Sequence, residues 1–146
     1  MVSRHEVIVE AARAALLASG CVDHRVHRDR GISLWQGVLP AIDLRLQRSA
    51  VGEIGSGVSR HDLELRVDIY AREEIDLPAS TAADAVMVRA HRALLADRTL
   101  GGLCRRLVLT RQDWRYIDSG DGVQLQLEQA YTAIHATQAN DLAVQA

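Results

Sequence analysis

The sequence predicts an α+β fold, a mainly antiparallel sheet of four to five strands with two helices packed on one face. Three observations lead there. In the stretch SRHDLELRVDIYAR, Leu63, Leu65, Val67 and Ile69 alternate with Glu64, Arg66, Asp68 and Tyr70, the period of a strand with one dry and one wet side. Two other stretches, near residues 4–18 and 81–95, carry helix-start signals followed by apolar residues at helical spacing. Every strand candidate is polar on one side, as in an antiparallel sheet whose helices lie on the other.

Ser3 with Glu6 three residues on matches a capping box, so the first helix is expected from Arg4 to Ala18, stopping at Ser19-Gly20 where glycine takes a left-handed cap. Val7, Ile8, Ala11, Ala14, Ala15 and Ala18 share one side of it and Glu6, Glu10 and Arg13 a charged stripe. Val9 and Leu16 fall outside both, a second apolar strip that touches either another part of the fold or a partner. Polar residues from Cys21 to Gly37 include a short edge strand. After Pro40, which suits a strand start, Ile42, Leu44 and Leu46 oppose Asp43, Arg45 and Gln47 in a second half-buried strand.

Between that strand and the 63–69 strand lies SAVGEIGSGVSRH, expected as a flexible loop near residues 49–60. Its glycines suggest a phosphate loop, but that motif needs a lysine, and all 17 basic residues here are arginine. After the central strand, Thr81 and Asp84 form a second capping box behind Pro78. Ala83, Val86, Met87, Ala90 and Leu94 face the sheet; Val88 and Leu95 lie on the far side beside Asp84 and Arg92. LGGL, 100–103, supplies glycine where a positive φ closes the helix. Leu107 and Leu109 mark a further strand, and Val123, Leu125 and Leu127 against Gln124, Gln126 and Glu128 another, joined through the hairpin chemistry of IDSGDG. Beyond Tyr131 the alternation slips at Ile134, which predicts a bulge or the end of core contact. Residues 1–137 make one domain and 138–146 a loose tail.

A chain of 146 residues with 48% apolar content supports one ordinary core, built from aliphatic residues because aromatics make up only 3%. The net charge of -2, with arginines interleaved among carboxylates, disfavours sequence-specific nucleic-acid binding. Two distant cysteines without CxxC spacing give no disulfide framework. The amino-terminal stretch is too short in apolar length for a membrane span and lacks a signal-peptide layout, so soluble and intracellular is the expectation.

Candidate chemistry is sparse. His24, His27 and Asp29 come nearest to a metal site, but HxxH in an extended segment points its rings apart and needs a third ligand; the alternative is an exposed polar edge. His61 has no nucleophile motif to assist, and His91 and His135 read as a helix-surface and a strand-end residue. Cys104 beside Arg105 and Arg106 is either an activated thiol or a small buried hydrophobe. Trp114 with Arg111 and Arg115 is either an interaction patch or an intrastrand stack. No catalytic residue, metal or cofactor is assigned.

The order of the pieces carries more than any of them singly. A helix, a PxIxLRL run (Pro40 to Leu46), a glycine-bearing connection, a charged strand, the stretch RALLADRTLGGLCRRL (Arg92 to Leu107) and a last strand ending YTAIHATQANDL together resemble the tail terminator proteins of long-tailed bacteriophages of the lambda type, over nearly the whole chain. The resemblance implies a non-enzymatic protein. It would form a homo-hexameric ring on the tail tube protein, end tube polymerisation and join a head-completion protein, working in the host cytoplasm and then in the virion tail. No residue carries over from it. The chain's own candidates are Gly52, Glu53, Gly55, Ser56, Gly57 and Arg60 for the tube-facing loop, and Val9, Leu16, Glu64, Arg66, Asp68, Val88 and Leu95 for subunit contacts. Rival readings are another head-tail connector or tail completion protein and, in a different class, a small metal-dependent hydrolase using His24, His27, His61 or Asp29.

Overall fold

A computed structural model describes residues 2–120 and 122–146. Chain order is α1 (Arg4–Ser19), β1 (Val26–Arg28), a 3-10 turn (Gly31–Gln36), β2 (Ala41–Gly55), β3 (Val58–Arg72), α2 (Ala79–Leu95), β4 (Arg106–Ser119), β5 (Gly122–Gln138) and β6 (Asp141–Gln145). The strands form one sheet in the order β1-β2-β3-β5-β4, with β6 added on β5. The α+β expectation stands, with six strands rather than four or five. Among the described residues only the β1–β2 pair is parallel.

The alternating 63–69 stretch lies where its pattern places it. β3 pairs β2 on one side and β5 on the other, and from Val58↔Gln138 to Arg72↔Gln124 the β3–β5 register runs without a shift. Its odd positions, Leu63, Leu65, Val67, Ile69 and Ala71, are buried under the helices. So are Ile42 and Leu44 of β2 and Leu125, Leu127, Tyr131 and Ala133 of β5. A smaller cluster of Leu34, Ala41 and Tyr70, with Trp35 and Leu39 against it, sits on the opposite side, where the 3-10 turn covers the sheet.

α1 begins as its cap predicts: the Ser3 hydroxyl accepts from the Glu6 N–H at 3.3 Å, and Gly20 closes the helix at φ 66°. The reciprocal half of the box is absent, because the Glu6 carboxylate accepts from Arg28 of β1 instead. The buried side is not the alanine-rich one. Ile8, Val9, Ala12 and Leu16 are all 0% exposed, so Val9 and Leu16 are core residues and not subunit contacts. Larger side chains remove more apolar area from water than alanines do, and they set the rotation of the helix. α2 buries Ala79, Ala83, Val86, Ala90 and Leu94, close to expectation. It starts at Ala79 behind Pro78 without a side-chain cap, so the Thr81–Asp84 box is not used.

Three further expectations change. The flexible loop near 49–60 is instead the end of two 15-residue strands joined at Ser56-Gly57, where Gly57 needs its positive φ of 79°. The loose tail carries β6, with Thr137↔Gln145 and Gln138↔Asp141 paired. β5 has no bulge at Ile134; burial continues through Ala133, His135 and Thr137. The register shifts lie elsewhere, at Leu46/Arg48 and Glu53/Gly55 of β2, at Leu109/Arg111 of β4, and at Thr137/Gln138 where β5 pairs with β6. The tip of the β4–β5 hairpin, Asp121 of the IDSGDG stretch, lies outside the described residues.

Leu65 is fully buried at the middle of this arrangement. Leu65→Ala should cost about 2–5 kcal/mol in urea denaturation, whereas Val88→Ala, at a position 38% exposed on α2, should stay within about 0.5 kcal/mol.

Candidate functional site

The far end of the β2–β3 hairpin extends beyond helix cover. Gly52, Glu53, Gly55, Ser56, Gly57 and Arg60 are all exposed there, and the large apolar Val51 and Ile54 are 60% and 57% exposed. This arm is ordered before any partner arrives: Gly52 pairs Arg60, Glu53 pairs Ser59, and the Ala139 N–H donates to the Gly57 carbonyl at 2.8 Å. β1 covers the outer side of β2 only at Ile42, Asp43 and Leu44. Among the described residues the rest of β2 therefore has a free edge, and nothing lies within 4 Å of where a Cβ would sit on Gly52 or Gly55.

The opposite flank of the sheet is β4. Its bulge shifts the phase, so that Leu107 and Leu109 face the helices before it and Trp114 and Tyr116 do so after it, opposite Leu127 and Leu125. α2 packs on β3 and β5, and these two aromatics remain 45% and 57% exposed, with Ile117 at 42% on the other face. No stacking partner is seen for Trp114 among the described residues. Its nearest arginines pair with acids instead: Arg111 with Asp113 and Arg115 with Glu128, each at 3.0 Å.

The wet side of the sheet is less wet than its sequence. Register aligns Asp43, Asp68, Glu128 and Asp113 in one transverse row, and the neighbouring row contains Arg45, Arg66 and Arg111. Arg66 holds the rows together, bonding Asp68 at 3.2 and 2.7 Å and Glu128 at 3.0 Å. Asp43 accepts from the Arg30 and Gly31 N–H groups and from Arg45. Asp68 is 0% exposed; burial raises its pKa, opposed by Arg66. It is therefore not a surface for a neighbouring subunit. Glu64 and Arg66 are each only 13% exposed and already paired. Of the remaining contact candidates, Val88 is exposed and Leu95 lies half-buried against the core.

The sequence-level metal candidates do not converge. His24 and Asp29 are exposed, and His27 is half-buried in β1. Three other histidines do converge. His5 of α1, His61 of β3 and His135 of β5 each offer a nitrogen, all within 4.8 Å of one another. His61 and His135 are direct cross-strand partners, their rings stacked at 4.7 Å, with His5 edge-on to both at 5.0 and 5.1 Å. Burial lowers the pKa of all three, that of His135 to about 4 with His61, His5 and Arg4 adding to the effect. Thr137 bonds His61 Nε2 at 2.9 Å. His5 Nε2, His61 Nδ1 and both nitrogens of His135 are buried without a partner, a cost of about 1–3 kcal/mol for each such group. The signal for this cluster was in the alternation: 61 and 135 share the parity of the buried leucines on their strands, and 5 falls between Val9 and Ala12 on the helical wheel.

Cys104 is 5% exposed, and burial, with Asp97 adding, pushes its thiol up to about 11. This is the inert alternative of the two that its sequence context allows. Cys21 is also free and buried.

No protein-family model matches the chain, and no curated protein matches it. Among solved structures it is similar to a chain of one titled "Virion of native gene transfer agent (GTA) particle", at 18% identity over 84% of this chain and 92% of that one, with a TM-score of 0.45.

Two outcomes follow from this geometry. Arg66→Ala takes the bonded arginine from buried Asp68, leaving it the Gln126 amide, and leaves Glu128 to Arg115 alone; it should destabilise the fold by about 3 kcal/mol in chemical denaturation, with Asp68→Asn restoring part of the loss. At pH 8 the Cys104 thiol of a Cys21→Ala variant should react with Ellman's reagent about a hundredfold more slowly than free cysteine, and at an ordinary rate once unfolded.

Proposed function

We propose that this chain is a structural component of a tailed-phage particle, a tail terminator that forms a homo-hexameric ring. The ring caps the tail tube, ends its polymerisation and presents the surface that the head-completion protein joins. The proposal includes no enzymatic step, and it places the protein in the host cytoplasm during assembly and in the virion tail afterwards. Two lines support it: the order of pieces that resembles that family, and the presence of two unlike exposed flanks on one stiff sheet.

The second line carries the reading. A ring built by rotation needs a head-to-tail contact, in which one surface of a subunit meets a different surface of the next. The free edge of β2 offers backbone groups with little side-chain cover at Gly52 and Gly55, open to strand addition. The β4 flank offers Trp114, Tyr116 and Ile117, residue types that supply contact energy at interfaces. The arm tip, with Val51, Ile54 and the turn at Ser56-Gly57, extends past both and is the tube-facing element of the proposal. Because the arm is already ordered in the lone chain, it does not fold on binding; docking of a preformed arm costs less conformational entropy.

The runner-up within the same class is another head-tail connector or tail completion protein. A metal-dependent hydrolase is the rival of a different class. Its proposed His24, His27 and Asp29 do not meet, although His61 does join a histidine cluster.

Negative-stain imaging and light scattering of the purified chain, alone and with tail tube protein, should show rings or capped tubes. Trp114→Ala with Tyr116→Ala should weaken ring formation by about 2 kcal/mol or more per contact while leaving the urea midpoint nearly unchanged. Val51→Asp with Ile54→Asp should spare the fold and abolish capping. A strictly monomeric chain at high concentration that also ignores tube protein would remove the proposal. Tube capping that survives the Val51 and Ile54 changes would remove the arm from it.

A further inference from the structure

We infer that His5, His61 and His135 form a binding site for a single divalent transition-metal ion, zinc being the best fit, which fastens the first turn of α1 to the root of the β2–β3 arm. Three separate elements deliver the residues. His61 and His135 face each other across the β3–β5 pair, within the stretch where register never shifts, and α1 lays His5 over them. The donors that lack any other partner are His5 Nε2, His61 Nδ1 and either nitrogen of His135. His61 is 1% and His135 5% exposed.

Three neutral imidazoles with no carboxylate among them select a nitrogen-preferring ion over calcium or magnesium, which take oxygen ligands. Tetrahedral zinc at about 2.0–2.1 Å from each nitrogen brings its donors to roughly 3.4 Å apart. The present spread of up to 4.8 Å closes by rotation of the rings, His5 being the freest because it is half-buried and on the first helical turn. Thr137 Oγ1 lies 2.9 Å from His61 Nε2 and is able to accept from an Nε2–H; in that tautomer Nδ1 is free for a metal, with the support that ligating histidines ordinarily have. His135 also lines a surface cavity of about 270 Å³, a way in for the ion and for a water molecule as fourth ligand. Arg4 is the charged neighbour that opposes a cation; its guanidinium is engaged by the Leu103 carbonyl and the Gln145 side chain.

The site does not depend on the assembly reading and is tested on the isolated full chain, without a polyhistidine tag. Zinc should bind one per chain, and cobalt should give the visible bands of four-coordinate nitrogen ligation without an intense thiolate band. Zinc should raise the thermal midpoint, and a chelator should lower it again. Thr137→Val should weaken zinc binding by about 10- to 100-fold. His5→Gln, a mild change at a half-buried helix position, should abolish stoichiometric binding with the circular dichroism unchanged, and a His24→Gln, His27→Gln double variant should bind as the parent does. The inference is overturned if the parent chain takes up zinc no more tightly than the His5→Gln variant. A thiolate band in the cobalt spectrum, or loss of binding on changing His24 and His27, would also overturn it. The parent cobalt spectrum decides the matter even where a variant fails to fold.

Discussion

Everything in this molecule depends on the β3–β5 pair. Fifteen residues of β3 meet fifteen of β5 with no register shift, and a strand held between two neighbours has no freedom to choose which side chains go inside. On the helix side that constraint buries leucine, valine and isoleucine, which is favourable by itself. On the other side it lines up Asp68 with Glu128 directly, and Asp43 and Asp113 with them through the outer strands. Like charges facing each other across a sheet are unfavourable, so the adjacent row must answer them. Arginine is well suited to do so, because its planar fork can bond two carboxylates at once, as Arg66 does with Asp68 and Glu128. A lysine at the same place would be a point charge with one short reach.

The sequence made parts of this legible and hid others for physical reasons. The 63–69 alternation showed the central strand, because burial of one side leaves a period that nothing else imitates. Helix α1 was readable at both ends, since caps are local chemistry, while its rotation was not: counting apolar residues favoured alanines, whereas burial follows area and favoured Ile8, Val9 and Leu16. Residues 49–60 looked like a loop because Gly52, Gly55 and Gly57 disfavour strands. There, pairing with β3 satisfies the backbone whatever the side chains are, and tertiary context overrides propensity. The same holds for β6, whose five residues have no strong pattern of their own and take their structure from the edge of β5.

The histidines were overlooked for a different reason. His61 and His135 read singly as strand residues and His5 draws no notice in the first turn of α1, because none has a chemical partner nearby in the chain. Their relation lies in parity: 61 belongs with 63 and 65, 135 with 133 and 131, and all these side chains point into the helix side. A polar residue in phase with a dry stripe has to be satisfied by something that the stripe does not provide. Thr137 answers one nitrogen of His61, and four others across the cluster have no such answer. That imbalance, rather than any spacing motif, is what distinguishes these three from His91, whose Nδ1 lies 2.8 Å from the Tyr131 hydroxyl.

Two of the register shifts, at Leu46/Arg48 and Leu109/Arg111, explain why stability and contact occupy different parts of one sheet. They lie in β2 and β4, the strands flanking the unshifted pair, and each reverses the phase of the residues beyond it. Before its bulge β2 sends Ile42 and Leu44 into the core; after it, Val51 takes the helix side at a point with little cover. β4 repeats the pattern, with Leu107 inside and then Trp114 and Tyr116 exposed. A bulge costs pairing and increases local twist, so flanks that carry one diverge from the plane of the central pair and direct apolar side chains to places that α1 and α2 do not reach. The central pair, with its buried leucines and its arginine-bridged acids, is then free to be rigid. Rigid support beneath exposed contact residues is what a preformed interface requires, and it follows here from a single difference between inner and outer strands: whether the register is allowed to slip.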